Sequence, residues 1–237
     1  MPVVAELIRR ERLDLAPGIA FLLEDNGSGK PVLVEALAEA TGFNVALQLD
    51  ERLMTFRVPL FGSDAETAGR SKVDSASTVG FRDGAKVCSS NDVICDIRGV
   101  GPQGRYRVQT EATRGVADTS TKVSAVWELN HDGTPILPVQ VVRFDPNLDS
   151  ANSAPGRRGF AVPVSVQRNP GAKPAGVASL TVEASYDDGA HWHKALVAGG
   201  KVHLYHPASG HVSLRAKATD TNGNTVEQTI IRAYRLR

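Results

Sequence analysis

From about Phe56 to the C-terminus, the sequence is a succession of short runs of alternating apolar and polar residues, separated by turn residues. Two of these runs, Tyr106–Ala112 and Lys122–Leu129, alternate along their whole length. Successive side chains of a β-strand point to opposite faces, so a period of two is the pattern of a half-buried strand. The sequence therefore predicts a mainly β fold with antiparallel sheets.

The clearest turn signal is Asp83-Gly84, which lies between the runs Thr78–Arg82 and Ala85–Val87. A two-residue hairpin turn needs positive φ at both central residues, and Asp and Gly tolerate that conformation. We therefore expect a hairpin here. Together with the two fully alternating runs, it predicts a first β-sandwich module over residues 57–137, with Trp127 as its anchor.

Residues 138–237 predict a second module of the same kind, because their strand candidates have the spacing of an immunoglobulin- or fibronectin-III-like sandwich. The predicted strands are Val139–Phe144, Phe160–Val166, Ser179–Ser185, Lys194–Val197, Lys201–Tyr205, His211–Asp220 and Thr225–Tyr234. The residues expected to face the core are Val182, Leu214, Ala216, Ile230 and Tyr234. The fold class is thus two tandem antiparallel β-sandwich modules.

Residues 1–50 differ from the rest and predict a short α/β segment. The apolar run Ile19–Leu23 is followed by a glycine-rich loop and by Leu33–Ala40, which has helical composition and periodicity. Loops of this kind wrap phosphates with their backbone N–H groups. In this order of elements the segment resembles a degraded Walker A region of an ABC-like P-loop ATPase.

That resemblance implies that Gly27, Gly29 and Lys30 would contact nucleotide phosphates. Two positions depart from the motif, since Glu24 replaces its first glycine and Pro31 replaces the hydroxyl residue that holds Mg²⁺. After residue 50 the chain is β-rich and does not alternate strands with helices, as a nucleotide-binding sheet would. A nucleotide-binding ATPase fragment is therefore an alternative function rather than the first.

Several motifs within residues 57–237 point to a second family. They are Phe81–Val87, Val142–Pro146, Val182–Gly189, Val212–Asp220 and Thr229–Tyr234. In these motifs the chain resembles the C-terminal, non-catalytic β-sandwich region of secreted bacterial subtilisin-like serine peptidases. The resemblance implies an accessory region, structural or interaction-mediating, with extracellular relatives. It implies no catalytic residue, because the α/β domain that holds a Ser-His-Asp triad is absent from this sequence.

Ser185, Asp187, Gly189 and Trp192 have the S-x-D-x-G-x-x-W spacing of the Asp-box hairpin of sialidase-like proteins. Asp187 is expected to bond turn amides, Gly189 to take positive φ, and Trp192 to pack under the turn. The motif is expected to be structural. If the ring of Trp192 is exposed, the turn supports a third class of function, a carbohydrate- or matrix-binding module.

Cys88 and Cys95 are close in sequence and could either close a β-hairpin with a disulfide or remain free thiols. They do not make a zinc site alone. His191 and His193 are predicted on one face of a strand, with His203 on a neighbouring strand, as a solvated surface. The segment Asp220–Asn224 is predicted as a type I′ hairpin turn rather than a calcium loop.

Charge and hydropathy argue against a nucleic-acid partner and against a membrane span. The formal net charge is +1 and no basic run is present, so we expect no nucleic-acid partner. No apolar run reaches ~18 residues, so no membrane span is expected. No signal peptide is visible, because the apolar run Ile19–Leu23 is too short. No cofactor is predicted, and the expected partner is an unknown protein or polysaccharide.

Overall fold

A computed structural model describes residues 49–50, 53–57, 74–92, 94–98, 103–115, 118–134, 137–149, 151–169 and 172–237. All regular secondary structure in these ranges is β-strand. No helix able to cross a membrane is found among the described residues. The predicted strand Ile19–Leu23 and helix Leu33–Ala40 lie outside the described residues.

Fifteen strands are described, and most have ends within a few residues of the predicted ones. They are β1 (Leu49–Asp50), β2 (Leu53–Arg57), β3 (Ser75–Arg82), β4 (Ala85–Ser90), β5 (Ile94–Arg98), β6 (Gly104–Thr113), β7 (Lys122–His131), β8 (Gln140–Phe144), β9 (Ser153–Ala154), β10 (Gly159–Arg168), β11 (Val177–Ser185), β12 (His193–Ala198), β13 (Lys201–Tyr205), β14 (Gly210–Asp220) and β15 (Thr225–Leu236).

These strands form two sheets. The smaller has the order β1-β2-β5, and the larger has the order β4-β3-β6-β7-β15-β14-β11-β12-β13-β10-β8. The short strand β9 pairs parallel with β15, and the other pairings in the described residues are antiparallel. The prediction of a mainly β, antiparallel fold is therefore confirmed.

The larger sheet folds back on itself because two of its strands change partners along their length. In β12, Lys194 and Ala195 pair with β11, whereas Leu196 and Val197 pair with β13. In β10, residues 159–163 pair with β13 and residues 164–168 with β8. A strand shared in this way turns the corner between two packed layers. One layer contains β7, β15, β14 and β11, and the other contains β12, β13, β10 and β8.

Buried side chains from both layers form the core. Of the residues predicted to face it, Val182, Leu214, Ala216 and Tyr234 are each at most 2% exposed, whereas Ile230 is half-buried. Burying each large apolar side chain stabilises the fold by about 1.5–3 kcal/mol. Alternation along the strands thus places one side of each layer in a common interior.

Trp127 does not anchor the first predicted module alone. It lies on β7 and is buried, and its indole N–H donates to the Gln140 carbonyl of β8, 2.8 Å away. The Gln228 side chain of β15 bonds both the N–H and the carbonyl of Val142 on the same strand. These side chains hold the end strand β8 against the opposite layer, where no backbone ladder forms.

One sheet also crosses the predicted boundary at residue 137. Strand β7 lies before it and β15 after it, and the two pair from Lys122 opposite Ile231 to Glu128 opposite Thr225. Backbone pairing over seven residues of each strand therefore joins the two predicted regions. The division into two modules stays a prediction.

The two predicted hairpin turns have different outcomes. Asp83 and Gly84 have φ of 50° and 85°, as a type I′ turn requires. At Asp220–Asn224 the type I′ prediction is wrong, because Gly223 is the only residue of the turn with positive φ. The Gly223 N–H donates to the Asp220 carbonyl at 3.0 Å, which gives a three-residue loop with glycine in the left-handed position.

Candidate functional site

The Asp-box-like turn connects β11 to β12 and is built around Ser185, which is fully buried. The Ser185 hydroxyl donates to Asp187 Oδ1 at 2.7 Å and accepts the Gly189 N–H at 2.9 Å. Gly189 has a φ of +90°, a conformation that side chains disfavour. The positive φ of Gly189 is the conformation that the sequence predicts for this structural turn.

Asp187 bonds the far side of the same turn. Its Oδ1 accepts the His191 N–H at 2.9 Å, and its Oδ2 lies 2.7 Å from His191 Nδ1. The His191 amide, followed by the Ser185 hydroxyl and the His191 ring, holds the pKa of Asp187 well below its usual range. Asp187 is therefore a carboxylate that orders the turn. The prediction that His191 and His193 share a strand is wrong. His191 lies in the turn, because β12 begins at His193.

Ser185, Asp187 and His191 are the residue types of a hydrolytic triad, but their arrangement is different. A triad places the histidine between the serine, which it deprotonates, and the carboxylate, which orients it. Here Asp187 lies between the other two and bonds both. The Ser185 hydroxyl is buried and donates to the carboxylate, so this cluster does not supply an activated nucleophile.

Trp192 is half-buried and is covered on one face. The Arg215 guanidinium carbon lies 4.6 Å from the centre of the Trp192 ring, and Arg215 also bonds Glu183 at 2.7 Å. A methyl group at Gly189 would lie 3.2 Å from Trp192 Cζ2, so the ring packs against the turn backbone. A cation over an aromatic face is a favourable contact that also blocks that face. Trp192 is thus not the exposed platform that the carbohydrate-binding alternative required.

Arg232 on β15 ties the same turn to the sheet. It has a φ of 56° opposite an irregularity of β14, its N–H donates to Ser213 Oγ, and its guanidinium makes two bonds to Asp188. The Arg232 guanidinium lowers the pKa of Asp188, so the pair is ionised at neutral pH. The turn is therefore fixed from both β14 and β15.

The remaining predicted site residues form two groups. Gly27, Gly29 and Lys30 lie outside the described residues, so nucleotide binding stays a prediction. Cys88 and Cys95 form a disulfide with their Cα atoms 5.9 Å apart, which links β4 of the larger sheet to β5 of the smaller. No group of three or more metal-ligating side chains is found in the described part of the chain.

The surface that sequence reasoning missed is the outer face of β12 and β13. Two of the exposed large apolar side chains, Leu196 at 66% and Tyr205 at 73%, lie there. Leu196 is directly opposite His203, and Tyr205 follows His203 by two residues on the same face. The sequence does contain a signal for this face, because the apolar and buried Val202 and Leu204 alternate with the exposed Lys201, His203 and Tyr205. We call Leu196, His203 and Tyr205 the Tyr205 face.

A buried aromatic cluster lies beneath the Tyr205 face. His206 is fully buried, with Nδ1 3.0 Å from the Pro155 carbonyl and Nε2 3.0 Å from the Tyr234 hydroxyl. Because the Pro155 carbonyl only accepts, Nδ1 carries the proton and Nε2 accepts from Tyr234. The Tyr186 hydroxyl donates to the Tyr205 carbonyl at 3.0 Å. These bonds fix the backbone that presents the Tyr205 ring.

Strand pairing and site geometry define the class as a mainly β, antiparallel sandwich protein. No protein-family model and no curated protein matches the sequence. Among solved structures, the fibronectin(III)-like modules of Clostridium thermocellum CbhA are 10% identical, over 78% of this chain and 85% of that one, at a TM-score of 0.26. The amphioxus IgVJ-C2 molecule is also 10% identical, over 78% and 98%, at a TM-score of 0.21.

Proposed function

We propose that this protein is a non-catalytic binding module that attaches to an extracellular target through the Tyr205 face. One observation carries the proposal: Leu196 and Tyr205 remain exposed on one face of neighbouring strands, while the reactive side chains of the 185–192 turn are bonded to one another. Exposed aromatic and aliphatic side chains on a rigid surface are typical of binding sites. The module is interaction-mediating, in keeping with the first function inferred from the sequence.

The face is held rigid before it binds. Strand β13 pairs with β10 along its whole length and with β12 over Lys201–His203, and the buried His206 lies directly after its last residue. A side chain presented on such a strand loses little further freedom on binding, which favours affinity. This supports a binding role for the face over a role as incidental exposed surface.

Sedimentation with insoluble extracellular material tests the proposal. The full chain is mixed with bacterial cell walls, plant cell walls or collagen fibres, and the bound fraction is measured. We expect retention on at least one material, loss of retention in the Leu196→Ser/Tyr205→Ser double variant, and normal retention in the Lys217→Gln control. Lys217 is an exposed lysine of β14, in the other layer. Absence of retention, or equal retention of the double variant, would contradict the proposal.

We also propose that the module serves as an accessory to a subtilisin-like peptidase domain. The motifs of residues 57–237 and the turn chemistry, in which Asp187 separates Ser185 from His191, support this role. The purified chain alone is expected not to hydrolyse casein. Hydrolysis that is lost in a Ser185→Ala variant of unchanged fold would contradict the non-catalytic assignment.

A further inference from the structure

The layer that carries the Tyr205 face has an unusual charge composition. Its strands β8, β10, β12 and β13 contain Arg143, Arg168, Lys194 and Lys201 but no Asp or Glu. In the opposite layer, by contrast, cations are paired with carboxylates, as in Arg215 with Glu183. A layer with one sign of charge attracts partners of the opposite sign.

Two of the four cationic side chains of this layer already have an acidic neighbour. Lys194 is directly opposite Glu183 in the strand register, and Arg168 pairs with buried Asp220 at 3.2 Å. Lys201 lies on the same strand face as His203 and Tyr205. The nearest acidic residue that follows β8 is Asp145, whose N–H donates to the Pro163 carbonyl. Arg143 bonds the Gln167 side chain at 2.8 Å, and Lys201 is the cation that shares a strand face with Tyr205.

The Tyr205 face leaves room for a ligand ring to stack against the Tyr205 side chain. Tyr205 is directly opposite Gly159 and His203 is opposite Ala161, so small residues flank the larger ones. A Cβ placed on Gly159 would meet no atom within 4 Å, so the space beside Tyr205 is open. Strand β13 pairs with β10 along its whole length and with β12 over Lys201–His203, and the Tyr205 carbonyl accepts from the Tyr186 hydroxyl, which leaves little edge to which a peptide strand would add.

From these observations we propose that the Tyr205 face binds an acidic polysaccharide, with a sugar ring stacked on Tyr205 and a sugar carboxylate at Lys201. The apolar face of a pyranose ring presents C–H groups to an aromatic ring. Lys201 and Tyr205 are four residues apart, roughly 13 Å along the strand, which spans about two to three linked sugar rings. This inference rests on the proposed binding function and names its target class.

Isothermal titration with polygalacturonate and its methyl ester tests the chemistry, because the two share a backbone and differ in charge. We expect binding to polygalacturonate and about tenfold weaker binding to the ester. Tyr205→Ala should weaken binding to both by about tenfold or more, since a central aromatic anchor carries much of the affinity. Lys201→Gln should weaken only the binding to the acidic form. Lys217→Gln, in the opposite layer, is the matched control and should bind as wild type.

The same titration with alginate, hyaluronate, poly-glutamate and single-stranded DNA distinguishes the partner class. The inference is overturned if none of the acidic polysaccharides binds, or if Tyr205→Ala binds them as wild type does. Equal binding of poly-glutamate or DNA would assign the face to acidic peptides or nucleic acid instead. Retention on an insoluble matrix that needs Tyr205, without binding to any acidic polysaccharide, would overturn this inference and leave the proposed function standing.

Discussion

The 185–192 turn and the Tyr205 face are joined by a single strand, β12, and use their aromatic residues in opposite ways. Trp192 is half-buried under Arg215 and against the Gly189 backbone, whereas the Tyr205 residue is 73% exposed beside Gly159. The turn has the recognisable motif, and its polar groups bond one another. The face has no motif, and its side chains remain available. In this molecule the motif marks a structural turn, and the residues without a motif form the surface that we propose for binding.

The largest expected effect on stability comes from Trp192. Trp192→Ala should lower the free energy of unfolding by roughly 2–3 kcal/mol, because it removes a half-buried ring and the contact with Arg215. Urea unfolding followed by circular dichroism measures the change, and Trp192→Phe should recover most of the loss. Matrix retention below the unfolding range should stay at the wild-type level. Loss of retention in a folded Trp192→Ala protein would reverse the roles of the two regions.

Ser185→Ala should have the next largest effect. The hydroxyl of the fully buried Ser185 bonds both Asp187 and the Gly189 amide, so its removal deletes two partly buried hydrogen bonds at a cost of about 1–2 kcal/mol. Ser179→Ala, an exposed position on the same strand, is the matched control and should change stability by at most about 0.5 kcal/mol. Equal urea midpoints for the two variants would show that the turn does not stabilise the fold.

Two buried histidines give stability a pH dependence. Burial lowers the pKa of His131 and His206 below the ordinary value of 6.5, so the unfolded chain binds more protons than the folded chain. Stability is therefore fully present above pH 6.5 and falls as the pH drops towards the folded pKa values, with a slope of at most about 1.4 kcal/mol per pH unit for each group. Urea unfolding at a series of pH values between 7.5 and 5 measures this slope of the free energy of unfolding.

His131→Phe should flatten that slope without leaving a partner unpaired. Neither ring nitrogen of His131 has a hydrogen-bond partner among the described residues, although the ring lies edge-on to Tyr106. An unchanged slope in the variant would mean that His131 does not contribute. The pH slope that remains in the His131→Phe variant is assigned to His206. Because His206 lies beneath the Tyr205 face, this slope links acid destabilisation to the region proposed to bind.

The smallest expected change in stability is that of Tyr205→Ala. Because the Tyr205 residue is mostly exposed, its removal should alter the free energy of unfolding by no more than about 0.5 kcal/mol. The Tyr186 hydroxyl bonds the Tyr205 carbonyl and not the ring, so this contact survives the substitution. A loss above about 2 kcal/mol in urea unfolding would mean that the ring has a structural role.

Sequence alternation predicted most of the fold because most strands of the second region bury one face and expose the other. The run His211–Asp220 was predicted almost to its ends, and its buried positions Leu214 and Ala216 were correct. Local patterns carry this information, since a period of two and a turn residue are visible within a few positions. The type of the Asp220–Asn224 turn was less predictable, because asparagine tolerates both signs of φ.

Contacts between distant segments could not be predicted in the same way. The bond from Trp127 to Gln140, the pairing of β9 with β15 and the positive φ of Arg232 all depend on which elements meet in three dimensions. Sequence spacing located the turn residues Ser185 and Asp187 but did not show that Arg215 covers Trp192. Alternation along β13 indicated that His203 and Tyr205 share one side, but the strand pairing was needed to place Leu196 of β12 on that face.

The decisive experiment measures retention of the Tyr205→Ala protein on insoluble extracellular material, beside wild type and at equal folded fraction. We expect that retention is lost while the urea midpoint is unchanged. Retention at the wild-type level by a folded Tyr205→Ala protein would contradict it, and loss confined to Trp192→Ala would assign binding to the turn instead.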